Sequence, residues 1–418
     1  MTKPKQEMSR RDFCTSSLGA AGGLLLVTPR TAFGTSANSL LRLGILGCGG
    51  RGSHVAQAFV ENTNTVVVAL ADLFQDRLDQ GTARFKKLQS TKGSPAIKLY
   101  KGPESYLQLL ASDIDLVIIS TPPYFHPQHL KAALDAGGKH VYLEKPVATD
   151  VRGCMEVAKL VGRPQGKVSV DVGFQMRRAP YYVEQTRRIH DGAIGEVALA
   201  QGFYFAGDVP RKNRGDVSPL EAQIRDWWFS RALSGDVLVE QNVHIIDVFN
   251  WVLKQHPVTA TATGGRRVRT DVGDVYDHFI VTYQYPNDIH ASFMSTQFLP
   301  KWGDVATRFF GKKGQSEAFF VGGLRIEGDN PWEAGADQVP VGTKPEVDPL
   351  REATPEKAKA FVQSIQTGQF HNELGQGVES CLSAMLGRQA AYEGGAMTWD
   401  QLIASDQHWD FEIDLSKL

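Results

Sequence analysis

The sequence predicts an α/β protein: a parallel sheet with helices on both faces, followed by an α+β domain with a mostly antiparallel, open sheet. Three observations predict it. Between Leu41 and about Val172, short apolar runs alternate with segments of helical spacing, the pattern of strand–helix–strand crossovers. Beyond Val172 the runs lengthen and alternate with period two, as in Asp277–Tyr285, which suits strands with one buried and one solvated face. A length of 418 residues accommodates two domains with full cores.

The elements follow in order. The chain opens with a basic head, Lys3, Lys5, Arg10 and Arg11. An apolar stretch rich in Gly and Ala runs from Ser17 to Val27, and small residues follow at Ala32-Phe33-Gly34 and Thr35-Ser36-Ala37. Head, core and small-residue tail in that order are the layout of a signal peptide. The apolar stretch is too short to cross a bilayer, which needs roughly 20 residues. Ser9-Arg10-Arg11-Asp12-Phe13 resembles the twin-arginine consensus, with Cys14 where Leu is usual. Residues 1–37 are therefore expected to be a twin-arginine signal peptide and linker, cleaved between Ala32 and Ala37. The mature protein is expected in the periplasm or otherwise exported, through the twin-arginine machinery and without a stable membrane anchor.

Leu41–Leu46 reads as the first buried strand. Gly47-Cys48-Gly49-Gly50-Arg51-Gly52 follows at once, and then Val55, Ala56, Phe59 and Val60 recur at helical spacing. Thr65–Leu70, β-branched and apolar, is the second strand. Leu116–Ile119 and Lys139–Leu143 are later strands, separated by a helix through His129–Leu134 that stops at Gly137-Gly138. In the second half, Asp277–Tyr285 and Ile289–Phe298 are strands joined by a turn at Pro286-Asn287. Asp329–Pro355 is a long surface loop, and Glu356–Ile365 and Gly377–Tyr392 are helices. The expected domains are 38–172 and 173–418.

Composition narrows the function. Lys+Arg total 45 against 46 Asp+Glu, so no broad electrostatic grip on nucleic acid is expected. Four cysteines, Cys14, Cys48, Cys154 and Cys381, have no zinc-site spacing and are too few for a disulfide scaffold.

Gly47-x-Gly49-x-x-Gly52, between a strand and a helix, fits a Rossmann dinucleotide fingerprint. The first glycine permits the tight turn, the second lets a pyrophosphate approach the backbone, and the third lets helix and strand pack closely. The backbone N–H groups around Gly49, Gly50 and Arg51 would face the phosphates at the positive end of the helix dipole. Asp72, twenty residues after Gly52, ends the second strand. There it accepts from ribose hydroxyls and repels a 2′-phosphate, so NAD is favoured over NADP. Ser120-Thr121-Pro122-Pro123 and Glu144-Lys145-Pro146 each follow a strand, at the edge where ligands of such sheets gather. Thr121, Pro122 and His126 are placed near the cofactor, although His126 reads equally well as a cap on the helix at Pro127. Lys145 near a nicotinamide is a candidate base for a substrate hydroxyl.

Together the glycine fingerprint and Glu144-Lys145-Pro146 resemble the glucose–fructose oxidoreductase, inositol dehydrogenase and rhizopine-catabolism (Gfo/Idh/MocA) family, from about Leu41 to near the C-terminus. The resemblance implies that Lys145 is the catalytic lysine and that Glu144 organises the site. It places Gly173-Phe174-Gln175-Met176-Arg177 on a segment that usually carries paired arginines; Met176 replaces the first, leaving Arg177 as a substrate contact. The family's Asp-x-x-x-His motif reads Glu240-Gln241-Asn242-Val243-His244 here, with Glu in place of Asp. Four residues apart, Glu240 and His244 are expected on one helix face, with His244 shuttling a proton. Two ligands alone do not make a metal site, and none is expected. Trp227 and Trp228, in Arg225-Asp226-Trp227-Trp228-Phe229, are candidate stacking surfaces for a sugar, with Arg225 and Asp226 gripping hydroxyls; core or interface packing is the equal alternative for the tryptophans.

The implied activity is a nicotinamide-dependent oxidation or reduction of a secondary hydroxyl on a sugar, glycoside or cyclitol. An exported enzyme meets little free NAD, so tight cofactor retention is expected. The alternatives are an NAD-dependent glycoside hydrolase or lyase working through transient oxidation with no net redox change, and a non-catalytic sugar-binding protein. An open second sheet also offers a face for a homodimer or homotetramer.

Overall fold

The computed structural model describes residues 40–418 apart from 94–95, 165, 301–302, 341–342, 344, 346 and 412. The expected signal peptide lies outside the described residues. The apolar runs of the first half form a six-stranded parallel sheet. Its strands are β1 (Leu41–Leu46), β2 (Thr65–Asp72), β3 (Lys98–Lys101), β4 (Leu116–Ile119), β5 (His140–Leu143) and β6 (Val170–Val172), in the order 3-2-1-4-5-6. Leu43 and Ile45 face one core and Leu46 the other, so β1 carries no polar side chain from Leu43 onward, where both of its faces are covered. The covering helices are α1 (Gly50–Asn62), α2 (Gln75–Leu88), α3 (Ser105–Ala111), α4 (His126–Ala136) and α5 (Val151–Ala158). The strand order reverses between β1 and β4, and a crevice opens at the carboxyl ends of strands at such a point.

The second half begins with α6 (Pro180–His190) and β7 (Val197–Gly207). A helical segment follows: α7 (Pro219–Arg225), α8 (Arg231–Ser234), α9 (Asp236–Glu240) and α10 (Val243–Leu253). Then come β8 (Thr259–Gly265), β9 (His278–Tyr285), β10 (Ile289–Leu299), β11 (Asp304–Gly311), β12 (Gly314–Phe319), β13 (Leu324–Gly328) and β14 (Trp332–Glu333). The last elements are α11 (Ala353–Thr367), α12 (Leu374–Glu393), β15 (Ala396–Thr398) and α13 (Trp399–Ala404). The nine strands β7–β15 make one sheet in the order 14-13-12-11-7-10-9-8-15, antiparallel except for the central β7–β10 pair. Along β9, Phe279, Val281, Tyr283 and Tyr285 are buried while Ile280, Thr282 and Gln284 are exposed. That alternation is the period-two reading made physical. Gly202 on β7 lets α10 lie against the sheet, since a Cβ there would sit 2.5 Å from Ile245.

Two features depart from the expected division at residue 172. Ala358, Phe361 and Val362 of α11 are buried with Phe59 and Tyr142 of the first domain, with Phe361 edge-on to both rings. Helix α11 therefore covers a face of the parallel sheet and does not belong to the second layer. The chain after α13 also returns to the first domain, where Tyr124 donates to the Phe411 carbonyl at 3.4 Å and His408 pairs with Asp150 at 2.8 Å. Local periodicity says that a helix forms and which face is apolar, but not which sheet it will cover.

Candidate active site

The glycine turn is dictated by close packing. Gly47 has φ +90°, and a Cβ there would lie 2.6 Å from the Ser120 backbone; one on Gly52 would lie 2.1 Å from the Gly47 carbonyl. Gly49 has nothing within 4 Å of its missing Cβ. It caps α1 with no side-chain hydrogen bond and no acidic residue in the first turn. The first N–H groups of α1 therefore look into open space at the positive end of a helix, an anion site in waiting. Asp72, at the end of β2, accepts from Cys48 N at 2.8 Å and Phe74 N at 3.0 Å. Burial raises its pKa, against those two backbone donors. Gly47, Gly49, Gly50, Asp72, Thr121 and Pro122 line one cleft. A nicotinamide dinucleotide fits these residues, with donors for a pyrophosphate, a carboxylate for a ribose, and no Cβ where the backbone must approach.

The charged residues make a second group. Arg51 Nε donates to Glu144 Oε1 at 2.8 Å, and Glu144 is buried at the end of β5. Lys145 Nζ donates to Glu240 Oε1 at 2.7 Å and also to the Glu240 carbonyl. That carbonyl is free because the helix breaks: α9 ends at Glu240, α10 starts at Val243, and His244 N turns to the Gln241 carbonyl. The expected single helix carrying Glu240 and His244 is thus corrected to two, and the break gives Lys145 its second acceptor. Burial raises the Glu240 pKa, while Lys145 pulls it back. The pKa of His244 is driven well down by burial and then by the charges of Lys145 and Arg51, so its imidazole is neutral. His244 Nδ1 and Glu240 Oε2 are buried without a hydrogen-bond partner, as are both amide atoms of Asn242 between them. Unpaired polar atoms in such a cluster favour a polar ligand that satisfies them.

Several expected contacts fall elsewhere. His126 is fully buried, with Nδ1 2.7 Å from the Pro146 carbonyl and Nε2 2.9 Å from the Thr121 carbonyl. Burial pushes its pKa down to about 4. It braces the two loops and does not reach the cleft. The Arg51 side chain is turned to Glu144, which leaves only its backbone for a phosphate. Arg177 Nη2 pairs with Asp247 Oδ1 at 2.8 Å, and the guanidinium lies 5.6 Å from the Trp251 ring, so it holds α10 in place. Arg225 and Asp226 do not grip a substrate either: Arg225 pairs with Asp76 and Glu221, and Asp226 with Arg214. Trp227 lines the cofactor cleft. Trp228 Nε1 lies 3.4 Å from Gln297 Oε1, and Gln297 in turn donates to Gln241.

The sequence reading missed Asn242, although its position between Glu240 and His244 was a signal. It also missed Phe74, Tyr106, His129 and Leu415, which line the cleft and carry no motif. Among the described residues no helix is long and apolar enough to cross a membrane.

Comparison with known proteins agrees with this geometry. Residues 41–172 match the family model described as oxidoreductase family, NAD-binding Rossmann fold, and residues 182–317 match the GFO/IDH/MocA C-terminal domain. The chain is 28% identical over 241 residues to an inositol 2-dehydrogenase of Rhizobium meliloti (strain 1021), covering 57% of this chain and 62% of that protein. It is 29% identical over 172 residues to a glycosyl hydrolase family 109 protein of Streptomyces coelicolor, covering 41% of this chain and 35% of that protein. The match thus spans about three fifths of the first relative and about a third of the second. A levoglucosan dehydrogenase solved with NADH and levoglucosan shares the fold, with TM-score 0.69 and 18% identity over 87% of this chain and 100% of that one.

Proposed function

This chain belongs to the GFO/IDH/MocA oxidoreductase family, and from that premise we propose that it is an NAD-dependent oxidoreductase acting on a secondary hydroxyl of a sugar, glycoside or cyclitol. The observation that carries the reading is the Lys145–Glu240–His244 cluster, whose lysine follows β5 at the carboxyl edge of the parallel sheet, the same edge at which the glycine turn after β1 opens its cleft. Bound NAD⁺ supplies a hydride acceptor. Gly47, Gly49, Gly50 and the Arg51 backbone would hold its phosphates and Asp72 a ribose, with Gly52 packing the turn; Thr121 and Pro122 border it. Lys145, a donor held between two acceptors of Glu240, polarises the substrate oxygen. Neutral His244, with Nδ1 unpartnered, is the group with a lone pair to take the hydroxyl proton. This shifts the base from Lys145, the expectation from sequence, to His244, because an ammonium engaged by a carboxylate is a donor.

Two finer statements belong to the same reading. The cofactor is retained tightly, because the sequence of residues 1–37 reads as a twin-arginine signal and free NAD is scarce outside the cytoplasm. Replacing Arg10 and Arg11 with lysines should keep the chain in the cytoplasm. The second functional reading, glycoside cleavage through transient oxidation, draws support from the likeness to the glycosyl hydrolase family 109 protein; it predicts product without net NADH. The deciding experiment is to denature the purified mature protein, identify any released nicotinamide nucleotide, and then screen polyols and glycosides with wild type and Lys145→Ala. Released or added NAD(H), with turnover lost in the variant, supports the proposal. Turnover within about tenfold of wild type in Lys145→Ala, where loss of a preorganised donor to the reacting oxygen usually costs about 10²–10³, refutes the assignment.

A further inference from the structure

The second domain supplies the ceiling of the cofactor cleft. Ile224 and Arg225 of α7 line it with Lys212 and Trp227, which precede and follow that helix, and Leu415 of the returning C-terminal tail lines it as well. These lie opposite Asp72, Phe74 and Arg77 on the β2 side. Ile224 is almost fully buried, which seats α7 on its neighbours. One contact fastens this ceiling to the parallel-sheet domain. Arg225 Nη2 and Nη1 donate to the two carboxylate oxygens of Asp76 at 2.7 and 3.2 Å. Its Cζ lies 3.8 Å from the centroid of the Phe74 ring, and Nε donates to Glu221 at 2.7 Å within its own helix. Asp76 stands in the first turn of α2, just past the Asp72 end of β2. A planar, delocalised cation that is paired bidentately and stacked on a ring is held rigidly.

We infer that Arg225 is a cofactor-binding residue contributed by the second domain, closing the adenosine end of the cleft so that the dinucleotide leaves only when the Arg225–Asp76 clasp opens. The inference rests on the reading that this cleft holds a nicotinamide dinucleotide. It gives the expected tight retention a physical cause: release requires breaking a bidentate ion pair and a cation–π contact besides the ligand's own bonds. Arg77 and Lys212 line the same cleft.

The test is release kinetics. NADH is bound to the mature full-length chain, and the loss of its bound-state fluorescence is followed on mixing with excess NAD⁺. Arg225→Ala should release NADH about tenfold faster than wild type, the combined effect of an ion pair and a cation–π contact, and Asp76→Asn, which removes only the ion pair, about threefold faster. Salt should speed release more steeply from wild type than from Arg225→Ala. Thermal unfolding shows whether each variant folds; Asp76→Asn, which does not line the cleft, carries the test if Arg225→Ala does not fold. Folded variants that release NADH at the wild-type rate overturn the clasp while the cofactor reading stands. A wild type that binds neither NADH nor NADPH overturns both.

Discussion

Gly173→Ala probes the charge chain behind the site. Gly173 follows β6, and its φ lies outside the left-handed range, so alanine is conformationally acceptable there. What an added Cβ meets is Glu144: Oε2 at 2.5 Å, Cδ at 2.8 Å and Oε1 at 3.0 Å. Ordinary contact begins at 3.4 Å, so the carboxylate must retreat by about 0.9 Å, a displacement larger than the roughly 0.7 Å by which the 2.8 Å Arg51–Glu144 bond can stretch before it is lost. The Glu144 side chain is 4% exposed and that of Arg51 36%. Breaking a fully buried pair costs about 3–5 kcal/mol; with Arg51 partly in water, the cost here is discounted to about 1–3 kcal/mol. The assay is the urea midpoint of Gly173→Ala, Glu144→Ala and the double variant. Because all three nearest atoms belong to Glu144, the alanine should cost less than about 0.5 kcal/mol in the Glu144→Ala background. A neutral single variant, or an equal loss in both backgrounds, would refute the reasoning.

Three further outcomes are expected. A base works unprotonated, and the depressed pKa of His244 keeps it so below the free-imidazole value; the acid limb of kcat/KM should therefore lie below about pH 6.5. Since the Arg51 charge contributes to that depression, Arg51→Gln should move the limb upward, and an unmoved limb would exclude His244 as the group observed. Asp72→Ala removes the ribose acceptor and the repulsion of a 2′-phosphate, so NAD affinity should fall about ten- to a hundredfold, the worth of one or two hydrogen bonds to a charged group. The preference over NADP should shrink in the same titrations, and an unchanged ratio would count against the role given to Asp72. Buried Lys357 sits 2.7 Å from Glu373 and 3.4 Å from Asp171. Lys357→Met strands two carboxylates from the buried cation they share, leaving Asp171 with His371 and Glu373 with the partly exposed Arg178, and should cost about 3–5 kcal/mol at pH 8. Protonation relieves stranded carboxylates, so the loss should shrink towards pH 4, and a pH-independent loss would refute the pairing.

The sequence by itself determined whatever depends on neighbours along the chain. β4 begins and ends where its apolar run does, because a strand buried on both faces must be apolar without interruption. The glycine turn was legible because no other residue fits beside Ser120 and the Gly47 carbonyl. The two sheet types were legible because period and run length follow from which faces meet water. What sequence could not decide is where a long side chain ends up. Arg177 and Arg225 were both read as substrate contacts, yet one binds Asp247 and the other Asp76. An arginine reaches several carboxylates, and only the packed backbone selects one. Helix α11 shows the same limit at larger scale: its apolar face suited either sheet, and burial with Phe59 and Tyr142 chose the first. The break after Glu240 likewise gains its use only in three dimensions, since it frees the Glu240 carbonyl for the Lys145 ammonium, which donates to it from the loop after β5. Motifs name the chemistry that is available; the tertiary structure sets which charges face one another, because Coulombic and hydrogen-bond energies depend on distances that sequence separation does not encode.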